Sequence, residues 1–431
     1  MRRVSKPLSQ LSDRYDAVVV GSGYGGGIAA SRLARMGYRV ALLERGEERL
    51  PGEFPASPTS AIRESQVQTA EGRVGRPTAL FDLHAGKDIN VLVGCGLGGT
   101  SLINANVALH ADPRLFDDPV WPAEIRGDGD LATGYARALT MLKPLPYPDD
   151  GETWPTLNKL EAMKKAAPTF GVELTRPPIN VSFATGFNPA GVWQPACNLC
   201  GDCCSGCNTG AKSTTQMNYL PDAAAFGAEI FCGVRVRSVS ARSGGGWNVH
   251  YIPQALGREG FTAEEPIVSA DIVVLAAGTL GSTEILLRSK ARGLALSDQV
   301  GSGFSGNGDV LAFGYNNDVP IDGIGFGEDS PSYNHATDRR RPVGPCIAGL
   351  IDLRAAGAGA ADVERGMVIE EGSIPGGIGS FMPAVMAGAA AAFGTDTDTG
   401  DYFSEKAREL ESMVRGPYHG AVNHTQTFLV M

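Results

Sequence analysis

The sequence predicts an α/β fold with a smaller α+β part, on three observations. Tyr15 to Glu44 reads in order as strand, glycine loop, helix, strand and acid. Ile89 to Val93 is a short apolar strand that runs into a second glycine-rich loop, residues 94 to 106. Beyond residue 313 the pattern changes to short strand-like runs, which predict a substrate domain built on an antiparallel sheet.

In the first unit, Asp16 to Val20 is the strand and Gly21-Ser22-Gly23-Tyr24-Gly25-Gly26 carries G-x-G-x-x-G. Ile28 to Met36 has helical spacing, with Ala29, Ala30 and Ala34 on the face that must approach the strand, and Gly37 ends it. Arg39 to Leu43 is the second strand, with Glu44 at its end. This is the Rossmann-like dinucleotide fingerprint, and each part has a physical task. Gly21 permits the tight turn, Gly23 lets a pyrophosphate approach the backbone, and Gly26 lets helix and strand pack closely. The helix start offers free N–H groups and a positive dipole end to phosphates. The Glu44 carboxylate can accept from both ribose hydroxyls and would repel a 2′-phosphate.

Composition narrows the function classes. A chain of 431 residues, 43% hydrophobic, can bury a large core or two smaller ones. The net charge of −10 argues against a nucleic-acid surface or an anionic membrane. No apolar run is long enough to span a bilayer. The N-terminal MRRVSKPLSQLSDR lacks the apolar stretch of a signal peptide, so a cytoplasmic location is expected.

From Leu50 to Lys87 the pattern is polar and irregular, an excursion with four prolines. The loop that follows, Gly94-Cys-Gly-Leu-Gly98-Gly99-Thr100-Ser101-Leu-Ile-Asn104-Ala-Asn106, resembles the second signature of the glucose–methanol–choline (GMC) oxidoreductases. GSGYGGGIAASRLA and the run from Val273 through Ala277 and Gly278 to Ser289 are similar to the same family, in its cholesterol-oxidase-like bacterial branch. The resemblance implies FAD rather than NAD. It also implies that Val236 stands where backbone groups recognise adenine, and that Asn307 and Asp309, in GSGFSGNGDVLAF, lie beside the isoalloxazine. An apolar strand position would equally explain Val236. The expected organisation is a discontinuous FAD-binding domain over 1–116 and 195–313, a cap-side insertion over 117–194, and an incomplete substrate domain over 314–431. Within the insertion, Asp130 to Leu142 and Asn158 to Phe170 read as helices and Arg176 to Asn180 as a strand.

Cys197, Cys200, Cys203 and Cys207 satisfy C-x2-C-x2-C-x3-C, a ferredoxin spacing that can wrap a [4Fe–4S] cluster. Asn208 replaces the usual proline, and no second run follows. Four thiols could instead hold zinc or simply pack. The cluster reading makes the chain a flavin plus iron–sulfur electron-transfer protein.

The resemblance implies hydride transfer from the CH–OH group of a sterol-like or other bulky alcohol to flavin N5, with a base to take the hydroxyl proton. The electron acceptor is left open. In the family that base region is a His from a His-Pro-Leu-Gly-Gly-like segment. Here none of His84, His110, His250, His335, His419 and His424 has that context. The expectation is therefore a truncated form, a flavin-binding fragment or half of a split enzyme. No residue is assigned as catalytic; the candidates are Glu370 or Glu371, read as either a substrate-facing carboxylate or an exposed acidic turn, and Asn104. Asn104 and Asn106 are the candidates for polar contacts at the flavin edge.

Overall fold

The structure, a computed structural model, describes residues 2–125, 129–254, 265–395 and 401–431. β1 (Arg14–Val20) is followed by α1 (Tyr24–Arg35) and β2 (Val40–Leu43), which pairs parallel with β1. β1 reads as a continuous apolar run because both of its faces are covered. Val18 and Val20 face one core with Leu43, Val234 and Val249. Ala17 and Val19 face the other with Ala30, Ala34 and Leu220. α1 begins four residues earlier than its apolar spacing predicts, inside the glycine loop. Two of those glycines are packing positions: a Cβ on Gly27 would lie 3.3 Å from that of Tyr219, and one on Gly26 would meet the Gly21 carbonyl.

The segment expected to be irregular is folded. The helix Pro58–Arg63 starts at a capping box made by Ser57 and Ser60. β3 (Ser65–Gln68), β4 (Arg73–Gly75), β5 (Phe81–Ala85) and β6 (Asn90–Gly94) form a four-stranded sheet in the order β4-β3-β5-β6. Gln66 stands beside Asp82 and Gln68 beside His84, so all four polar side chains share one face. That face points inward: Gln66 and Asp82 are buried, and Gln68, Asp82 and His84 line a cavity. The usual polarity of a half-buried strand is inverted, and hydropathy therefore reads these strands as loop.

In the insertion the helices Gly129–Leu142 and Asn158–Ala166 form, the second continuing as a 3-10 turn to Phe170. Arg176 to Asn180 makes only single bridges, from Ile179 to Val107 and to Leu145. Pro177 and Pro178 remove two backbone donors, so a ladder cannot extend through them. β7 (Gly186–Phe187) and β8 (Trp193–Gln194) make a short hairpin.

The chain then returns to the first sheet. β9 (Glu229–Phe231) adds parallel to β2. β10 (Val234–Ala241), β11 (Trp247–Pro253) and β12 (Ile267–Leu275) form an antiparallel meander, and β12 lies parallel beside β1. The order is β10-β11-β12-β1-β2-β9, with the helix Gly278–Ala291 after β12. This is an α/β fold.

A second sheet is wholly antiparallel. β13 (Val310–Gly314), β14 (Leu350–Asp352), β15 (Val368–Gly372) and β16 (Gln426–Val430) lie in the order β13-β16-β15-β14. One face packs on Met163 and Ala167 of the insertion. The other meets Ala105, Val107 and the cysteine run through Leu429. No helix among the described residues is long and apolar enough to cross a membrane.

Candidate active site

A cavity of about 330 Å³ opens where β1, β2 and β12 end, between the two glycine loops, β10 and the inverted sheet. The glycines around it divide by what an added Cβ would meet. On Gly21 (φ +96°) it would lie 2.4 Å from the Ala276 carbonyl oxygen, and on Gly26 only 2.0 Å from that of Gly21. On Gly23 it would meet nothing within 4 Å. Gly21 thus makes the turn, Gly26 the close packing, and Gly23 leaves the approach to the backbone open. Gly25 is nearly as open, with Ala276 Cβ at 3.9 Å. Gly99 (φ +56°) brings the second loop against the first, since its Cβ would stand 2.9 Å from Gly23 Cα. A dinucleotide fits this cradle: open glycine backbone at a helix start, an acid on the next strand, and a second loop closing over the first.

Glu44 is buried at this cavity. One oxygen, Oε2, accepts from the Ser22 amide at 3.1 Å and the Ser22 hydroxyl at 2.6 Å; Oε1 accepts from the Gly46 amide at 2.8 Å. Ser22 Oγ in turn accepts from the Gly98 amide at 2.9 Å. Glu44 therefore also fixes the loop that would carry the phosphates. Ser101 donates to the Gly98 carbonyl at 2.6 Å, and Gly94 N–H donates to Thr100 Oγ1 at 3.1 Å. Val236, Ala277 and Gly278 line the cavity as well.

Other sequence candidates lie off its wall. Asn104 Nδ2 donates to the Tyr24 hydroxyl at 3.1 Å, while its Oδ1 is buried without a partner. Asn106 is 1% exposed, sits at φ 76°, and has neither side-chain polar atom bonded. Orphaned amide atoms at such depth call for a ligand or water. Asn307 and Asp309 are exposed and bonded to each other at 2.6 Å.

Several participants were given no site role by the sequence reading. Arg45 reaches buried Asp82 at 2.5 Å, and Gln68 donates to the same carboxylate at 2.7 Å. Burial alone would raise the Asp82 pKa; hydrogen bonds from His84, Arg45 and Gln68 outweigh it and hold the carboxyl below its usual range. His84, which lacks the His-Pro-Leu-Gly-Gly-like context, is thus on the cavity wall. Lys212, 2% exposed, donates to the carbonyls of Leu102, Asn104 and Cys203 at 3.0, 2.6 and 3.0 Å. Its three N–H groups clamp the second glycine loop to the cysteine run. Inverted alternation could have marked Asp82 and His84; nothing local marks Lys212.

The two adjacent carboxylates lie in β15, not in an exposed turn, and are 1% and 0% exposed. Strand alternation sends them to opposite faces. Glu371 faces the insertion: it pairs with Lys159 at 2.6 Å and accepts from the amides of Ala348 and Gly349 at 2.6 and 3.1 Å. Glu370 stands opposite Leu429 in the β15–β16 ladder, and Leu429 packs beside Ala105 and Val107. Glu370 thus faces the segment that carries Asn104 and Asn106. Its Oε1 is buried and unbonded. Burial first, then Cys346, Asp309 and Glu371, push its pKa up to about 8.

All eight cysteines are free thiols. Cys197, Cys200, Cys203 and Cys207 line a void of only about 10 Å³ with Lys212. Among the described residues no three His, Cys, Asp or Glu side chains gather as a metal-ligand set, so the geometry gives no support to an iron–sulfur cluster.

Residues 15–305 match the family model described as GMC oxidoreductase. A cholesterol oxidase of Mycobacterium tuberculosis H37Rv is 31% identical over 300 residues, 65% of this chain and 48% of that protein. A cholesterol oxidase of Acinetobacter baumannii is 26% identical over 312 residues, 67% of this chain and 53% of that protein. A long-chain-alcohol oxidase of Arabidopsis thaliana is 26% identical over 219 residues, 51% and 26% of the two chains. The chain spans about half the length of the cholesterol oxidases it matches. Among solved structures, a formate oxidase superposes with a TM-score of 0.53 at 16% identity, over 97% of this chain and 72% of the other.

Proposed function

Because this chain belongs to the GMC oxidoreductase family, we propose that it holds FAD and oxidises the CH–OH group of a bulky, apolar alcohol. The observation that carries this reading is the pair of glycine loops that meet at Gly23 and Gly99 over an open helix start. When bound, FAD supplies the hydride acceptor. Gly21 to Gly26 and the first amides of α1 hold the pyrophosphate, Glu44 the ribose, and the Val236 backbone the adenine. Thr100, Ser101, Asn104 and Asn106 serve the flavin end.

Glu370 is the group that takes the hydroxyl proton. Support comes from its unbonded, buried Oε1 and from a pKa of about 8, close to working pH. Asn106, with both amide atoms free, orients the hydroxyl. Glu371 has no part in the chemistry; its ion pair with Lys159 holds the sheet that presents Glu370. The substrate is a sterol-like or long-chain alcohol. Relatives named cholesterol oxidase and long-chain-alcohol oxidase favour this class.

The test is anaerobic. Purified protein is titrated with FAD by absorbance and then mixed with a sterol, a long-chain alcohol or buffer. Tight uptake of FAD followed by alcohol-dependent bleaching is the expected result. FAD uptake without bleaching by any alcohol would reduce the reading to flavin binding alone, and failure to take up FAD would remove it.

A further inference from the structure

Cys204 and Cys346 are 142 residues apart in sequence, yet their Sγ atoms stand 3.3 Å apart. Cys204 belongs to the cysteine run; Cys346 lies four residues before β14, in the segment that feeds the antiparallel sheet. Cys203, Ile347, Ala105, Val107 and Leu429 pack around the pair. Cys346 is 4% exposed, and Cys204 keeps part of its surface accessible. Closing a disulfide of about 2.05 Å needs roughly 1 Å of sulfur movement, within the reach of side-chain rotation. An oxidant that reaches this depth must be small and uncharged. Hydrogen peroxide meets that requirement; a glutathione-sized disulfide does not.

We propose that Cys204 and Cys346 form a peroxide-responsive dithiol, which closes to a disulfide between the cysteine run and the antiparallel sheet. Cys346 attacks first. Its hydrogen bond from Cys204 is the largest influence on it and lowers its pKa to about 6 against the opposing effect of burial, with the Lys159 ammonium assisting. Its thiolate, having released a proton, attacks one peroxide oxygen; the O–O bond breaks, a sulfenic acid forms and hydroxide leaves. Cys204 then gives up its thiol proton and attacks the Cys346 sulfur. The S–S bond forms, and the sulfenic OH leaves with that proton as water. In balance, the two thiols lose two electrons and two protons, and one peroxide becomes two waters. The closed form ties the wall that carries Glu370 to the clamp made by Lys212 at Cys203.

The experiment uses the FAD-loaded protein, reduced, desalted and exposed to a small molar excess of hydrogen peroxide. Thiols are titrated in denaturant, and peptides are mapped without reductant. The protein should lose two of its eight thiols, yield one cross-linked peptide joining Cys204 to Cys346, and regain both thiols with dithiothreitol. Cys346→Ser should abolish the paired loss. An unchanged thiol count, a cross-link confined to residues 197–207, or the same paired loss in Cys346→Ser would each overturn the proposal. The peptide map of the unmutated protein decides the matter even if the variant does not fold.

Discussion

Glu370 and Glu371 are neighbours in sequence with opposite circumstances, and alternation along β15 is the whole cause. The unfolded Glu370 carboxyl titrates near ~4.3, and the folded one at about 8. Between those values the folded protein keeps a proton that the unfolded chain has released. Stability therefore falls as pH rises through that window, and the loss is complete above it. Glu370→Gln should remove this dependence, so the variant gains melting temperature over the parent at pH 9 and none at pH 4. If alcohol oxidation uses Glu370, the same variant should lose the rising limb of the kcat/KM pH profile and about 10²–10⁴ in rate. An unchanged profile would assign the proton to another group. For Glu371 the expectation concerns packing. Lys159→Met leaves that carboxylate buried with two amide donors and should cost about 3–5 kcal/mol in a denaturant melt. Lys159→Met combined with Glu371→Leu should recover much of the loss, because the desolvation of both charges disappears together.

At the scale of elements, the glycine loops give the sharpest contrast. Gly26→Ala places a Cβ 2.0 Å from a backbone oxygen, so loop or helix must move; a cost of about 1–3 kcal/mol or more is expected. Gly23→Ala meets nothing within 4 Å and should leave the melt of the FAD-free protein within about 0.5 kcal/mol. It should nevertheless weaken FAD uptake, because the methyl stands where we propose that the pyrophosphate approaches. Equal FAD affinity in Gly23→Ala and parent would place the phosphates elsewhere. These loops were legible because their purpose is written in local spacing. The β3–β5 sheet was not legible: its inward side chains, Gln66, Gln68, Asp82 and His84, are polar, and strand recognition assumes apolar ones. Nor could spacing reveal Lys212, whose three acceptors come from two separate segments, or the change of face that separates Glu370 from Glu371. Arg176 to Asn180 does not make the expected strand because Pro177 and Pro178 take two donors out of any ladder.

For the whole molecule, the cradle draws on β1, β2, β10, β12 and the second glycine loop, so FAD binds only when distant parts of the chain have assembled. A ligand selective for the folded state stabilises it by about 2.7 kcal/mol at a hundredfold excess over Kd. The melting temperature should rise with FAD concentration along that logarithmic law, and FMN, which lacks the adenosine that we propose Glu44 and Val236 hold, should give a smaller rise. Equal shifts with FAD and FMN would remove those two residues from the site.

The same interleaving sets a timetable for synthesis. β1 leaves the ribosome well before β12, its partner along one edge, and Arg14 meets Asp271 only 257 residues later. At about 5–20 residues per second the interval is roughly 13 to 50 seconds. Throughout it an apolar strand offers an unpaired edge to any other nascent chain. A chain ended at residue 254 would keep that edge open for good and should collect in the insoluble fraction, whereas the full chain closes it as soon as β12 emerges.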